Sequence, residues 1–191
     1  LEAAKYAAPD EFSNLIQGIG GEGLNAFTAY DVTCYMNSFP AYQMERWLTL
    51  YADRLTNPVF RSFQAELENV FEEYNMYLDD NSTHSRNFIF GKLYEGHAYA
   101  RDIIGYAEDL KNPKLRKLID FYNTWYVPNN MALILVGDFD IEATKPLIEK
   151  TFGKLQARPL PERTKYPTTA FAQDERYSAK LGYMPELYIA Y

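Results

Sequence analysis

Apolar positions recur at helical spacing over several stretches of this chain and alternate at strand spacing over others. Residues 1–17 are helix formers, with a break and restart at Pro9-Asp10-Glu11. From Leu24 to Asn37 the pattern switches to period two, with Leu24, Ala26 and Thr28 against Asn25, Phe27 and Ala29. The switch predicts a β-hairpin turning near Tyr30-Asp31. A helix is then predicted from Pro40 to about Asn57-Pro58, with Met44, Trp47, Leu48, Tyr51 and Leu55 near one stripe. A second runs from about Arg61 to Leu78, a shorter one over 82–95 starts at Ser82 or Thr83, and another runs from Asn112-Pro113 to near Tyr126. Met131 to Val136 is an unbroken apolar run closed by Gly137-Asp138, the signature of a buried strand, and Ile141 to Phe152 reads as a helix. Pro159, Pro161 and Pro167 mark residues 156–170 as a linker, followed by two strands over 176–181 and 187–191.

Composition narrows the chemistry. The chain has 191 residues, a formal net charge of −7 and no basic cluster beyond Lys114, Arg116 and Lys117, which argues against a nucleic-acid partner. No apolar run approaches the roughly 18 residues a membrane span needs, so no transmembrane segment is expected. With two histidines, His84 and His97, and one cysteine, Cys34, these residues by themselves build no multi-histidine zinc site and no disulfide framework. His97 reads as a structural histidine, His84 as solvent-facing, and Cys34 as an inert core thiol. Gly18-x-Gly20-x-x-Gly23 matches a dinucleotide fingerprint in letters only, because it follows a helix and precedes a strand instead of feeding a helix N-terminus. A helix-to-strand connection is the expected role.

The predicted helix from Arg61 to Leu78 holds the informative carboxylates. With Phe63 at zero and about 100° per residue, Leu67, Val70, Phe71, Tyr74, Tyr77 and Leu78 fall in one arc, and Glu66 and Glu73 border it at about 300° and 280°. Glu68 and Glu72 point the other way. Rim carboxylates are ordinarily surface groups. A metal ligand backed by another carboxylate is the functional alternative.

The order of motifs resembles the pitrilysin/insulinase metallopeptidases, the inverzincins. Gly20-Gly21 with Asn25-Ala26-Phe27-Thr28 and Asp31-x-Thr33-x-Tyr35 is similar to that family's hairpin, and Ala52-Asp53-x-Leu55-x-Asn57-Pro58-x-Phe60 to the helix end that follows. Glu66 and Glu73 match two family glutamates seven apart, and His97-x-Tyr99, Gly105, Phe121, Tyr126-x-Pro128-x-Asn130 and Val136-Gly137-Asp138 continue in order. The family's His-x-x-Glu-His motif is absent; family spacing places it upstream of Leu1. Ala98 stands where the family often has proline.

What the resemblance implies is an α+β fold, an antiparallel sheet with helices packed mainly on one face. Residues 1–155 would be most of a peptidase domain without its histidine helix, and 156–191 a Pro-rich linker with the first strands leading toward a second homologous half. The implied activity is part of a zinc metalloendopeptidase that cleaves unfolded peptides. Zn²⁺ would be held in the full-length parent by Glu73 and two upstream histidines, with Glu66 behind and an upstream glutamate as general base, so no catalytic residue lies in this chain. The metal would bring bound water toward a pKa of about 7. Asn25, Ala26, Phe27 and Thr28 would offer an edge strand to an extended peptide substrate. This chain alone is expected to bind no zinc and to be inactive. Partners would be the peptide and a second pitrilysin-like half, in cis or as a subunit, and the location a bacterial periplasm or cell envelope. The alternative is a non-catalytic partner subunit that binds peptides without hydrolysing them.

Overall fold

The computed structural model describes residues 10–60, 62–111, 114–167, 173–181 and 185–190. The chain forms two compact units, one of residues 1–63 with 114–162 and the other of residues 64–113 with 163–191. Its described elements are helices and an antiparallel two-stranded sheet, an α+β chain.

The first unit is organised around helix α2 (Met44–Thr56), whose stripe Met44, Trp47, Leu48, Tyr51 and Ala52 is buried. Helix α1 (Glu11–Gly18) contributes Ile16, fully buried, and the core closes with Ile19. Strands β1 (Glu22–Thr28) and β2 (Thr33–Ser38) pair antiparallel with Ala26 opposite Tyr35 and Thr28 opposite Thr33, around the predicted turn, where Ala29 N donates to Val32 O at 2.8 Å. Asn37 locks the sheet to α2, its side-chain oxygen accepting from Trp47 Nε1 at 3.0 Å and from the Tyr51 hydroxyl at 2.7 Å. The polar tips of two large core aromatics are thereby satisfied by one side chain. Helices α6 (Leu115–Trp125) and α7 (Ile141–Thr151) complete this unit, and Leu147, Ile148 and Phe152 pack against the α2 core.

The glycines of the 18–23 segment follow from packing. Gly20 has φ +79°, and a Cβ on Gly21 would lie 2.5 Å from Ile16 Cγ2 and 2.8 Å from Ile16 O. Gly21 N instead donates to that same oxygen at 2.8 Å. The close approach of two backbones, with no helix N-terminus following, is what these residues serve.

The second unit contains α3 (Phe63–Leu78) from its second residue on, α4 (Asn81–Leu93) and the short α5 (Ala107–Lys111), which the sequence pattern did not suggest. Helix α4 starts one residue earlier than expected because its cap is Asp80, whose carboxylate accepts from Ser82 N at 3.2 Å and Thr83 N at 3.1 Å. Ser82 and Thr83, the expected caps, are inside the helix.

Several predicted boundaries fall outside the described residues: the helix over 1–9, the start at Arg61, the start at Asn112-Pro113, the turn at 182–184 and Tyr191. The predicted strands over 176–181 and 187–190 are irregular and exposed where described, with Leu187 at 85% and Ile189 at 77% exposure. The apolar run Met131–Val136 is extended but has no ladder partner among the described residues. Leu135 joins the α2 core, whereas Ile134 and Val136 are 77% and 93% exposed. Alternation sends every second side chain inward, and the outward ones meet no covering layer among the described residues.

Candidate functional site

Glu66 and Glu73 lie on one continuous helix, α3, and both are solvent-exposed. The half-buried stripe beside them is Phe63, Leu67, Val70, Phe71 and Tyr74, as the helical period requires; Tyr77 and Leu78, assigned to the same arc, are exposed at 39% and 47%. Glu73 Oε1 accepts from the Tyr77 hydroxyl one turn on at 3.3 Å, and Glu68 Oε1 accepts from Gln64 at 3.4 Å on another side.

Among the described residues no group of three or more histidine, cysteine, aspartate or glutamate side chains is arranged to hold a metal ion. Both histidines are committed. His97 Nδ1 accepts from Tyr99 N at 3.0 Å, and its ring packs against Tyr94, Tyr99 and Tyr166. His84, expected in solvent, is half-buried, with Nε2 2.6 Å from Leu78 O. A four-coordinate zinc shell therefore does not close on the donors described here. Cys34 is half-buried on the hairpin.

Asn25, Ala26, Phe27 and Thr28 occupy β1 in the first unit and are all exposed, Phe27 at 50%. One edge of β1 is taken by β2. Ala26 N donates to the Asn25 side-chain oxygen at 2.8 Å, and the pairing with β2 carries an irregularity between Glu22 and Asn25. A strand with one paired edge and exposed side chains is the geometry that β-addition requires.

Sequence reasoning missed the cluster behind this hairpin. Tyr35, opposite Ala26, exchanges a 2.9 Å hydroxyl–hydroxyl bond with Tyr126 at the end of α6. The Arg54 guanidinium lies 4.2 Å from the Phe12 ring centre and 5.4 Å from that of Tyr35. Tyr122 stacks on Tyr126 with centroids 4.5 Å apart and donates to Leu55 O at 2.9 Å. Burial first, then the bond to Tyr126, pushes the Tyr35 hydroxyl above its ordinary pKa. The Tyr35–Tyr126 bond and the stacked Tyr122 tie β2 to the end of α6. The motif residues Tyr35 and Tyr126 are visible in sequence, but their pairing across 91 positions is not.

Residues 1–107 match the family model described as insulinase (peptidase family M16), and residues 114–191 match the model described as peptidase M16 inactive domain. Among curated relatives, the probable zinc protease PqqL of Escherichia coli is 29% identical over 78% of this chain and 17% of its own length. The uncharacterized zinc protease YmfH of Bacillus subtilis is 32% identical over 74% of this chain and 33% of its own. A solved protease from Helicobacter pylori superimposes with a TM-score of 0.71 at 27% identity, covering 82% of this chain and 38% of that one. The periplasmic PqqL of Escherichia coli gives 0.72 at 25%, covering 84% and 19%. This chain thus spans about a sixth to a third of the length of these curated relatives.

Proposed function

Because this chain belongs to the insulinase family of peptidases, peptidase family M16, we propose that it is part of a zinc-dependent endopeptidase acting on unfolded peptides. In this reading Glu73 is the metal ligand that these residues contribute, Glu66 stands behind it, and Asn25 to Thr28 receive the extended substrate as an added strand. The observation that carries the reading is that Glu66 and Glu73 project from one uninterrupted helix, seven residues apart, in a chain whose relatives are named zinc proteases.

In this reading the two histidines and the general base are supplied by polypeptide outside these residues. What this chain itself does is bind and orient. The exposed β1 backbone holds a peptide through main-chain bonds, which are indifferent to side-chain identity and suit unfolded substrates. A peptide adding at Ala26 exchanges the local bond to Asn25 for an intermolecular one. The Tyr35–Tyr126 brace keeps β2 from yielding as β1 is loaded. By the same reading residues 1–155 are most of one peptidase domain and 156–191 lead toward a second, homologous half. The periplasmic location of PqqL favours a bacterial envelope for this protein.

A second reading has one observation of its own: residues 114–191 match a model described as inactive. Under it the parent is a partner subunit that holds peptides without cleaving them. Zinc content separates the two. In the full-length parent, Glu73→Gln should remove most of the bound zinc and the proteolysis with it, while Glu68→Gln leaves both unchanged. A parent that carries no zinc and cleaves nothing establishes the partner reading, and equal losses from both substitutions refute Glu73 as the ligand.

A further inference from the structure

Behind the hairpin lies a cation whose hydrogen-bonding capacity is unspent. Arg54, in the last turn of α2, is exposed, with its guanidinium centre 4.2 Å from the Phe12 ring centre and 5.4 Å from that of Tyr35. Cation–π attraction to two rings holds the group in place without using its planar fork of N–H donors. Among the described residues nothing accepts from that fork and no carboxylate pairs with it.

A hydroxyl proton close by is unspent as well. The Tyr35 and Tyr126 hydroxyls share a single hydrogen bond of 2.9 Å, so one proton of the pair is used and the other remains. The neighbouring phenols are committed, Tyr122 to Leu55 O and Tyr51 to the Asn37 side chain. Burial raises the pKa of the Tyr35 and Tyr122 hydroxyls and the Arg54 charge pulls against that rise, which puts the guanidinium within electrostatic reach of both. All of these groups belong to one unit, residues 1–63 with 114–162.

Tyr35 lies opposite Ala26, and residues directly opposite in an antiparallel pair share a face of the sheet. A peptide adding along the open edge of β1 places every second side chain on that same face. We propose that Arg54 and the Tyr35–Tyr126 hydroxyl pair form a carboxylate site, which takes an acidic side chain or the C-terminal carboxylate of the extended substrate. The site rests on the reading of β1 as the substrate edge and adds one side-chain preference to an edge that otherwise holds main chain. A carboxylate matches the donors: its oxygens accept the planar fork side by side, or one takes the fork and the other the phenol proton. A carboxamide of the same shape has one acceptor oxygen and no charge, so it gains only the weaker part of this recognition.

Fluorescence anisotropy of short, unfolded, labelled peptides on the 191-residue chain tests the site. The peptides carry a central Gln or a central Glu, each with an amidated or a free C-terminus. The net charge of −7 disfavours acidic peptides overall, so a preference for the carboxylate reports a local site. The Glu peptide or the free-terminus peptide should bind about tenfold more tightly than the neutral one, the size of one charge-assisted hydrogen bond, and whichever gains identifies the source of the carboxylate. Arg54→Gln should abolish the preference and leave the affinity for the neutral peptide unchanged. Arg46→Gln, the same change of net charge at an exposed position earlier on α2, should keep it. Tyr35→Phe with Tyr126→Phe, which retains both rings, should remove part of it. Equal affinity for all the peptides in the wild type, a preference that survives Arg54→Gln, or an equal loss from Arg46→Gln overturns the carboxylate site while β1 remains a peptide edge. Binding of no peptide by a chain with a folded far-UV spectrum overturns both readings.

Discussion

Gly21 shows how one missing methyl sets the entry to the hairpin. Its backbone passes close enough to Ile16 that any Cβ would collide with a fully buried side chain and with a main-chain oxygen, neither of which can swing away. Gly21→Ala should therefore destabilise the chain by about 1–3 kcal/mol, the range for overpacking a closed site. Urea unfolding followed by Trp fluorescence measures it. Gly18→Ala, where nothing lies within 4 Å, is the matched control and should be near neutral. Loss of equal size from both would mean that helix termination, not the contact with Ile16, is what requires glycine there. The spacing of these glycines was legible in sequence, and so was the wrong context for phosphate. The reason for Gly21 was not, since it depends on which side chain of α1 lies beneath it. The same holds for Asn37, an unremarkable hairpin residue in sequence that becomes the shared acceptor of Trp47 and Tyr51.

At the scale of elements, α4 carries a pH-sensitive start. Bonds from the Ser82 and Thr83 side chains, and from their backbone amides, hold the Asp80 carboxyl at about 2, below its ordinary value near 4. The folded state thus prefers the charged form. Its stabilisation is fully present above pH 4 and is lost as pH falls from about 4 toward 2, where the carboxylate takes up a proton and ceases to accept both amides. Asp80→Asn keeps an acceptor oxygen but cannot titrate. Its far-UV circular dichroism should match that of the wild type at pH 7 after cooling, with a smaller loss of midpoint temperature between pH 5 and pH 3. An identical acid dependence in both proteins would assign the acid sensitivity to other carboxylates. Sequence periodicity found α2 and α3 because each buries or half-buries a stripe at helical spacing, whereas α4, α6 and α7 were found from their start and stop residues. The expected α4 cap, Ser82 or Thr83, lies two or three residues after the actual one, Asp80, because Asp, Ser and Thr are all good caps and choosing among them needs backbone geometry. The short α5 has too few turns to show a period.

For the molecule as a whole, the exposed run Met131–Val136 decides how the chain behaves in solution. Six uncharged residues without proline or an interior glycine lie extended with no ladder partner among the described residues, and Ile134 and Val136 are turned outward. Their inward neighbours Leu133 and Leu135 line a shallow apolar groove with Phe139, Ile141 and Ile148 of the α7 region. An apolar edge of this kind pairs with other chains, and opposing it is a net charge of −7, whose repulsion salt screens over about 10 Å at 0.1 M. Self-association of the 191-residue chain should therefore rise with ionic strength in sedimentation velocity. Ile134→Lys with Val136→Lys should suppress it at every salt concentration. Those side chains are already in water, so the double variant should keep its unfolding midpoint; a midpoint several degrees lower would show that the outward face is covered after all. The sequence pattern assigned this run to a buried strand because an all-apolar run demands cover on both faces, and that demand stands. The packing here meets it on one face, through Leu135 and the α2 core. On the other face Ile134 and Val136 meet no covering layer among the described residues.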